Sequence, residues 1–500
     1  MADQGLLAQA KPAATTNTVL YAAPVTASAS AVLNITNDGT ASQFDIALKD
    51  YDQKLTLDAS TYELHAGDVI SGYRFNLNTP IPAAATLAGS TLLTSTTGEK
   101  SFKFESYYIP TYTEIFTKVF AIRQITLESV SGTPAVGETI SKGSGGNTTT
   151  ATIYAVNIGS GTTNIYIGPS SVAGTNALPA DEFVAGDSLT ASGGATGTIS
   201  TGGVGTANNE FAFSTTTAGG TYDLYLGTTF TVFGDRAYRF NVADASMSGR
   251  DFHISTTING EWGPDNTAGN SDDGTEYTTG KTTNGTAGSA GAYVQYDFSA
   301  NTSLAASYYI YDGGTGTAAN ANYGGSDRVL TTSTAYTYGS IFVYDIEGDW
   351  TGGSDQFSHS GATYTVSTVT AGPYGYIRSY SGTTAYVIKG TNSADFAGSN
   401  TFRDNPKLGA TPRDTVTVSS VTVATTAVEA SNYLYINNDN GANNVKRITS
   451  LVIGPGERLV VESNTQNNIF SLIGFEDASS AFVTRVFDPA ATVGTGGSGG

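Results

Sequence analysis

Five candidate oxygen ligands lie close together in the stretch GPDNTAGNSDDGTEY, residues 263–277. Ca²⁺ takes about six to eight hard oxygen ligands from a flexible loop, so this stretch is the best candidate metal site in the chain. Its spacing differs from that of an EF-hand, and an acidic Gly/Asn loop is also typical of a solvated hairpin tip. Both interpretations stay open. The candidate ligands are Asp265, Asn270, Asp272, Asp273 and Glu276.

Other reactive residue types are scarce or badly placed for catalysis. The chain has no cysteine, which excludes disulfides, thiolate metal sites and cysteine nucleophiles. Its three histidines, His65, His253 and His359, are too far apart in sequence to predict a zinc site or a base–nucleophile pair. No G-x-S-x-G stretch follows a strand and precedes a helix, no Gly-rich loop opens a helix that could hold a phosphate, and no carboxylate pair suggests glycoside hydrolysis. We therefore predict that the protein is not an enzyme and carries no cofactor.

The charge of the chain excludes two classes of partner. The formal net charge is −20, and no cluster of Lys or Arg provides a local exception, so nucleic acid and an anionic membrane surface are not expected partners. No segment has about 18 uninterrupted apolar residues, and the first residues, MADQGLLAQAKPAATTNT, lack the features of a secretion signal. We expect the chain to be made in a cytoplasm and kept there, at least initially.

The composition predicts an all-β fold. Sixty glycines, 29 tyrosines and 22 phenylalanines, with only 13% charged residues, favour short strands joined by tight turns over helices. A chain of 500 residues is long enough for roughly three to five domains. We predict several small β-sandwich modules in series.

Two ranges, 13–110 and 413–487, share short motifs and are predicted to be two copies of one sandwich. The sequence Asn37-Asp38-Gly39 between alternating segments predicts a hairpin. The shared motifs are Leu33-x-Ile35 with Leu434-x-Ile436, and Gly67-Asp68-x-Ile70 with Gly456-Glu457-x-Leu459.

A shorter repeat relates residues 135–156 to residues 184–202. Each copy has a valine, a Gly-Glu or Gly-Asp turn, and a Gly-Gly followed by alternating threonines. We expect Glu138 and Asp187 to cap their turns by accepting hydrogen bonds from backbone N–H groups.

Residues 235–257 and 273–314 resemble a cupredoxin-like module that recurs in structural proteins of marine bacteriophages. The resemblance implies a β-sandwich with Phe252 and Tyr308 in its core. It also implies copper ligands beside the Ser-Gly at 248–249 and in the loop after Tyr308-Tyr309, yet Arg250 and Ile310 stand at two of those places. Copper sites of this kind need thiolate and imidazole ligands, so we expect a scaffold without copper.

The amino-terminal stretch, the Gly-Asp and Gly-Glu repeats and the stretch ITSLVIGPGERLVVESNTQNNIFSLIGFEDAS resemble virion structural proteins of contractile-tailed phages that infect marine cyanobacteria. The resemblance implies a structural part of a virion that binds other virion proteins. Two end sandwiches with variable modules between them favour a part associated with the tail, baseplate or a fibre. The exposed edges of Gly-rich β modules are safest when paired, so we expect a homo-oligomer. One alternative is a capsid decoration or head-fibre protein. Another is a receptor-recognition protein that binds a host-surface glycan through Trp262, Trp350, Tyr374 and Tyr376.

Six segments summarise the predicted organisation. They are an N-terminal sandwich (1–110), a Gly/Thr-rich repeat module (111–206), the cupredoxin-like sandwich (207–325), a Tyr-rich β segment (326–412), a C-terminal sandwich (413–487) and a flexible tail (488–500).

Overall fold

The computed structural model describes residues 4–85, 87–143, 147–174, 182–226, 230–301, 303–314, 329–404, 414–482 and 484. Its regular structure is almost entirely β, which confirms the predicted fold class. The helices within these residues are single 3-10 turns, at Ala83–Ala85, Ala245–Met247, Gly260–Trp262, Phe298–Ala300 and Ala430–Asn432. Among the described residues, no helix is long and apolar enough to cross a membrane.

The strands fall into three consecutive groups along the chain. The first group is β1 (Gln4–Ala10), β2 (Thr18–Ala22), β3 (Ala27–Asn37), β4 (Ser42–Lys49), β5 (Gln53–Leu57), β6 (Val69–Ser71), β7 (Arg74–Pro82), β8 (Leu92–Thr94) and β9 (Ser101–Tyr107). The second group is β10 (Thr113–Ser131), β11 (Thr139–Lys142), β12 (Asn147–Ile158), β13 (Thr163–Ile167), β14 (Ser171–Gly174), β15 (Ser188–Ala191), β16 (Thr196–Val204), β17 (Asn208–Ser214), β18 (Phe230–Phe233), β19 (Ala237–Asn241), β20 (Phe252–Ser255), β21 (Lys281–Asn284), β22 (Tyr293–Asp297), β23 (Ser307–Asp312) and β24 (Val329–Ser333). The third group is β25 (Thr337–Glu347), β26 (Gln356–His359), β27 (Ala362–Thr370), β28 (Tyr374–Ser381), β29 (Thr384–Lys389), β30 (Thr401–Arg403), β31 (Thr415–Val423), β32 (Tyr433–Asn440), β33 (Val445–Ile453), β34 (Arg458–Ser463) and β35 (Asn468–Ala478).

The chain divides into two compact units. Unit 1 contains residues 1–108 and 337–500, and unit 2 contains residues 109–336. Unit 2 is therefore inserted into unit 1 in sequence. Each unit is described separately below.

The first body of unit 1, the terminal sandwich, is built from both ends of the chain. One sheet has the strand order β1-β35-β3-β33, and the other has the order β2-β34-β4-β32. Alternate residues of β3, including Leu33 and Ile35, are buried against Phe44 and Ile46 of β4 and against Phe470 of β35. The predicted pair of separate sandwiches at 1–110 and 413–487 is thus wrong, because strands from the two ranges pair with each other.

Of the two shared motifs behind that prediction, the Leu-x-Ile motif fails. The Gly-Asp and Gly-Glu motif holds, because both copies form the same capped turn. Leu33 and Ile35 are fully buried, whereas Leu434 and Ile436 are exposed on β32. The hairpin predicted at Asn37-Asp38-Gly39 is also wrong, because β3 and β4 lie in different sheets. The buried Asn37 side chain stabilises this corner by donating to the carbonyl oxygens of Thr40, Asn440 and Gly441.

The rest of unit 1 consists of two six-stranded sheets that nearly close on themselves. Barrel I has the order β26-β27-β7-β25-β9-β8, and a bridge between Ser95 and Phe357 joins its two ends. Barrel II has the order β30-β31-β5-β29-β28-β6, and Gly72 after β6 approaches the carbonyl oxygen of Thr401 in β30. Each barrel therefore combines strands from residues 53–107 with strands from residues 337–423. The Tyr-rich range 326–412 is not a module by itself.

Unit 2 begins with a closed barrel, barrel III. Its six strands pair in the cyclic order β10-β13-β12-β11-β15-β16, and β16 returns to β10. Ile125, Ile140, Ile153, Ile165 and Ile199 fill its interior. The predicted repeat corresponds to two adjacent hairpins, β11–β12 and β15–β16, which are joined by pairing of β11 with β15.

The second body of unit 2, the insert sandwich, occupies most of the predicted cupredoxin-like range. One sheet contains β17, β10, β19, β22 and β21, and the other has the order β18-β24-β23-β20. Phe252 and Tyr308 are buried in its core, as predicted. The predicted boundaries at 207 and 325 are wrong, because residues 113–122 of β10 and strand β24 belong to this sandwich. The predicted tail, 488–500, lies outside the described residues.

These corrections have one physical cause. A strand's apolar pattern shows which face it buries, but the partner of that strand is fixed by hydrogen bonding across the sheet, which requires no proximity in sequence. The bodies of this chain are nested in sequence. The strands of barrel III lie between strands of the insert sandwich, and unit 2 lies between strands β9 and β25 of barrel I.

One local element recurs in both units and was correctly predicted. In four turns, an acidic residue after a glycine of positive φ accepts a hydrogen bond from the backbone N–H three residues earlier. The glycine has the left-handed conformation that the third position of a type II turn requires. The four bonds run from Ala135 N to Glu138, from Val184 N to Asp187, from His65 N to Asp68 and from Gly454 N to Glu457.

Candidate functional site

In the acidic loop predicted as a calcium site, side-chain oxygen atoms accept hydrogen bonds from backbone N–H groups of the same loop. Asp265 accepts from Thr267 N at 2.9 Å, and Asp273 accepts from Asn270 N at 2.8 Å. The side-chain oxygen of Asn270 accepts from Asp272 N at 3.1 Å. Among the described residues, no group of three or more His, Asp and Glu side chains is arranged to hold a metal ion. The geometry is that of a self-capped surface loop, and calcium binding there stays a prediction.

Glu276, the fifth candidate ligand, belongs to a different cluster, which we call the His253 cluster. His253 Nε2 lies 3.2 Å from Asp251 Oδ1 and 3.5 Å from Glu276 Oε1, and His253 Nδ1 lies 3.8 Å from Glu261 Oε1. The Lys281 ammonium contacts the Glu276 carboxylate. The hydrogen bond from His253 lowers the pKa of Asp251.

The His253 cluster explains why the loop after β23 carries glycine. His253 on β20 pairs with Tyr311 on β23, so its ring lies beside the residues that follow β23. A Cβ atom at Gly313 would lie 2.0 Å from His253 Nδ1, so only glycine leaves room for the imidazole ring. Ile310, at the implied cysteine place, is buried in the core, and Arg250 lies 3.6 Å from the buried Asp312 carboxylate. These two residues therefore support the sandwich.

A different part of the molecule has the chemistry of an interaction surface. On the sheet of the terminal sandwich that contains β1 and β35, the outward face carries Leu6, Ile473, Phe475 and Val452, which are 43–62% exposed. Leu6 pairs with Ile473, and Ile473 pairs with Val32, so apolar side chains line up across three strands. We call this set the outer apolar face.

The edge strand β32 of the other sheet adds a second exposed apolar run. Leu434, Tyr435 and Ile436 are consecutive and all exposed. Strand β32 pairs only with β4 in the described structure, so its other edge has no strand partner there. Exposed apolar patches and open sheet edges are features that proteins use for binding other chains.

The aromatic residues proposed as sugar-stacking platforms are mostly core residues. Trp350 is buried against Phe75 and Phe102 in barrel I. Tyr374 and Tyr376 are also buried, and only Trp262 is half-buried. Stacking of a sugar on the faces of these tyrosines would therefore require them to leave the core.

Comparison with known proteins gives no relative: no family model, no curated protein and no solved structure matches this chain. The resemblance to cupredoxins and to phage virion proteins therefore stays a prediction.

Neither the His253 cluster nor the outer apolar face was predicted from the sequence. Asp251 lies just before β20 and His253 lies on it, and this closeness in sequence is the local signal of the cluster, while Glu261 and Glu276 come from later segments. The outer apolar face joins residues more than 400 positions apart, and no local pattern predicts that Leu6 pairs with Ile473.

Proposed function

We propose that this chain is a non-enzymatic structural component of a bacteriophage virion, associated with the tail, baseplate or a fibre and assembled in the host cytoplasm. It acts through contacts with other copies of itself and with other virion proteins. The outer apolar face carries this proposal, because a contiguous exposed apolar surface on a folded protein marks a protein–protein interface.

The remaining architecture supports the same role. All the bodies are stabilised by packing without cysteine, which suits folding in a reducing cytoplasm. Barrel III is fully closed and barrels I and II are nearly closed, so most strands have partners and few edges are open to unwanted pairing. The excess of negative charge keeps the free chain soluble before assembly.

Self-association can be tested by multi-angle light scattering after size exclusion. We expect the wild-type chain to form a homo-oligomer and the double variant Ile473→Asp/Phe475→Asp to be monomeric, since two charges would be buried in the interface. The matched control is Ile158→Asp, which places one charge at an exposed aliphatic residue of unit 2 and should leave the oligomer intact. A typical micromolar interface has a Kd of about 1 μM. A wild-type chain that stays monomeric at about 100 times that concentration contradicts the homo-oligomer.

The virion assignment has its own test. Mass spectrometry of phage particles purified by density gradient from the source of this sequence should detect the chain at a stoichiometry comparable with other structural proteins. Immunogold labelling of those particles should place it at the tail rather than on the capsid. Capsid labelling would favour a decoration or head-fibre protein, and particles without the chain would overturn the proposal.

A further inference from the structure

Unit 1 contains a cleft of about 490 Å³ where the terminal sandwich, barrel I and barrel II meet. This volume is within the range of small-molecule sites, roughly 300–1,000 Å³. The terminal sandwich contributes an apolar wall with Pro24 and Val25, barrel I contributes Lys103 and Asp345, and the segment after β29 contributes Asn392.

Asp345 projects its carboxylate into this cleft from a strained backbone position. Its φ is +46°, and it lies in a bulge where the register between β25 and β9 shifts. Non-glycine residues in this conformation and bulges in strands both concentrate at binding sites. The carboxylate accepts from the Tyr376 hydroxyl at 2.8 Å and pairs with Lys103 Nζ at 3.0 Å, which fixes its orientation.

The opposite wall of the cleft is also held in place before any ligand arrives. Asn392 has a φ of +62° in the turn that follows Lys389. Tyr374 anchors this turn, because its backbone N–H donates to Ser393 Oγ at 2.8 Å and its hydroxyl donates to the carbonyl of Thr391. A Cβ at Gly390 would lie 2.2 Å from the Tyr374 ring, so the close approach depends on glycine. Preorganised walls of this kind lower the entropic cost of binding.

The charges of the cleft decide what kind of ligand it can take. Each of its five charged side chains has an oppositely charged partner: Asp52 with Arg458, Asp345 with Lys103, and Lys389 with Asp395. An anion would meet carboxylates already in place, and a cation would meet ammonium groups. A neutral ligand rich in hydroxyl groups can donate to Asp345, accept from Lys103 and Asn392, and lay its C–H face on the apolar wall.

We propose that this cleft binds a neutral saccharide. Asp345, Lys103 and Asn392 hold its hydroxyl groups, and Pro24 and Val25 contact its apolar face. The site differs from the aromatic stacking platform considered from the sequence, because Tyr376 acts here through its hydroxyl group on Asp345.

The first experiment presents the purified full-length chain to an array of neutral, sulfated and uronic-acid oligosaccharides, followed by titration calorimetry with the best neutral ligand. We expect selective binding of neutral glycans. Binding restricted to sulfated or uronic-acid glycans, or to none on the array, overturns the proposal.

Variants then locate the binding. Asp345→Asn keeps a residue type that tolerates positive φ, and Lys103→Met keeps the aliphatic stem; each should raise Kd about tenfold or more. The matched controls are Asp355→Asn and Lys100→Met, an ion pair of barrel I with an N–O distance of 2.8 Å that does not line the cleft. The controls should leave Kd within about twofold.

Thermal unfolding of each variant separates loss of the site from loss of the fold. Folded Asp345→Asn and Lys103→Met proteins that bind the glycan as tightly as wild type overturn the assignment to this cleft. Failure here is distinguishable from failure of the virion proposal, because the Ile473→Asp/Phe475→Asp variant changes assembly but leaves the cleft untouched.

Discussion

Unit 1 and unit 2 each contain a cluster of charged side chains, but the hydrogen-bonding groups of the two clusters are satisfied to different degrees. In unit 1, Arg458 forms two bonds of 2.8 Å to the Asp52 carboxylate and also donates to the carbonyls of Ala23 and Gly456. Nearby, the ammonium group of the fully buried Lys49 lies within 2.6–3.2 Å of four backbone carbonyl oxygens, those of Asp52, Ala424, Thr425 and Ala427.

The His253 cluster of unit 2 is less complete. His253 Nδ1 and Glu261 Oε2 are buried atoms with no hydrogen-bond partner within the described part of the chain. Asp251 and Glu261 are about half exposed, so water reaches part of the cluster. The unit 1 cluster therefore joins distant segments of the chain, while the unit 2 cluster fills the space around one imidazole ring.

The largest effect is expected from Arg458→Ala. It removes both guanidinium hydrogen bonds from the buried Asp52 carboxylate and should lower the free energy of unfolding by about 3–5 kcal/mol, measured by urea denaturation. The control is Asp50→Ala, which removes the half-exposed partner of Arg378 and should cost less than about 1 kcal/mol. Equal losses for the two variants would show that the buried pair has no special structural role.

A smaller effect is expected at the His253 cluster from Gly313→Ala. The added methyl group collides with the His253 ring and should cost about 1–3 kcal/mol in the same measurement. Gly219→Ala in the same unit has open space around the new Cβ and should be nearly neutral. In the double variant Gly313→Ala/His253→Ala the losses should be less than additive, since the collision is gone; full additivity would contradict the contact.

The smallest effect is a dependence of stability on pH from Lys49. Burial lowers the pKa of Lys49 to about 8 from its ordinary 10.5. Between these values the unfolded chain binds more protons at this residue than the folded chain, so the free energy of unfolding should rise with pH. From pH 8 to about pH 9.5 the rise should be about 1–2 kcal/mol in wild type relative to Lys49→Met, measured by urea denaturation. The same pH dependence in both proteins would show that the carbonyl cage fully offsets the burial of the ammonium group.

Much of the local structure was accessible from the sequence. Alternating apolar residues predicted strands such as β3, and Gly followed by Asp or Glu predicted the capped turns at Glu138 and Asp187. The buried positions of Phe252 and Tyr308 were also predicted correctly. The acidic loop was identified as a polar loop, but its fifth oxygen donor, Glu276, turned out to face His253 instead.

The all-β class, the absence of disulfides and the conformation of the repeated turns follow from the amino-acid sequence, because they depend on composition and on residues a few positions apart. The pairing of the strands, and with it the nesting of the bodies, the outer apolar face and the cleft beside Asp345, is apparent only in the folded chain. The physical reason is visible in the pair Asp52–Arg458, which joins residues 406 positions apart. Backbone hydrogen bonding is the same for any strand, so the choice of partner comes from the packing of whole sheets and is not recorded in any short stretch of sequence.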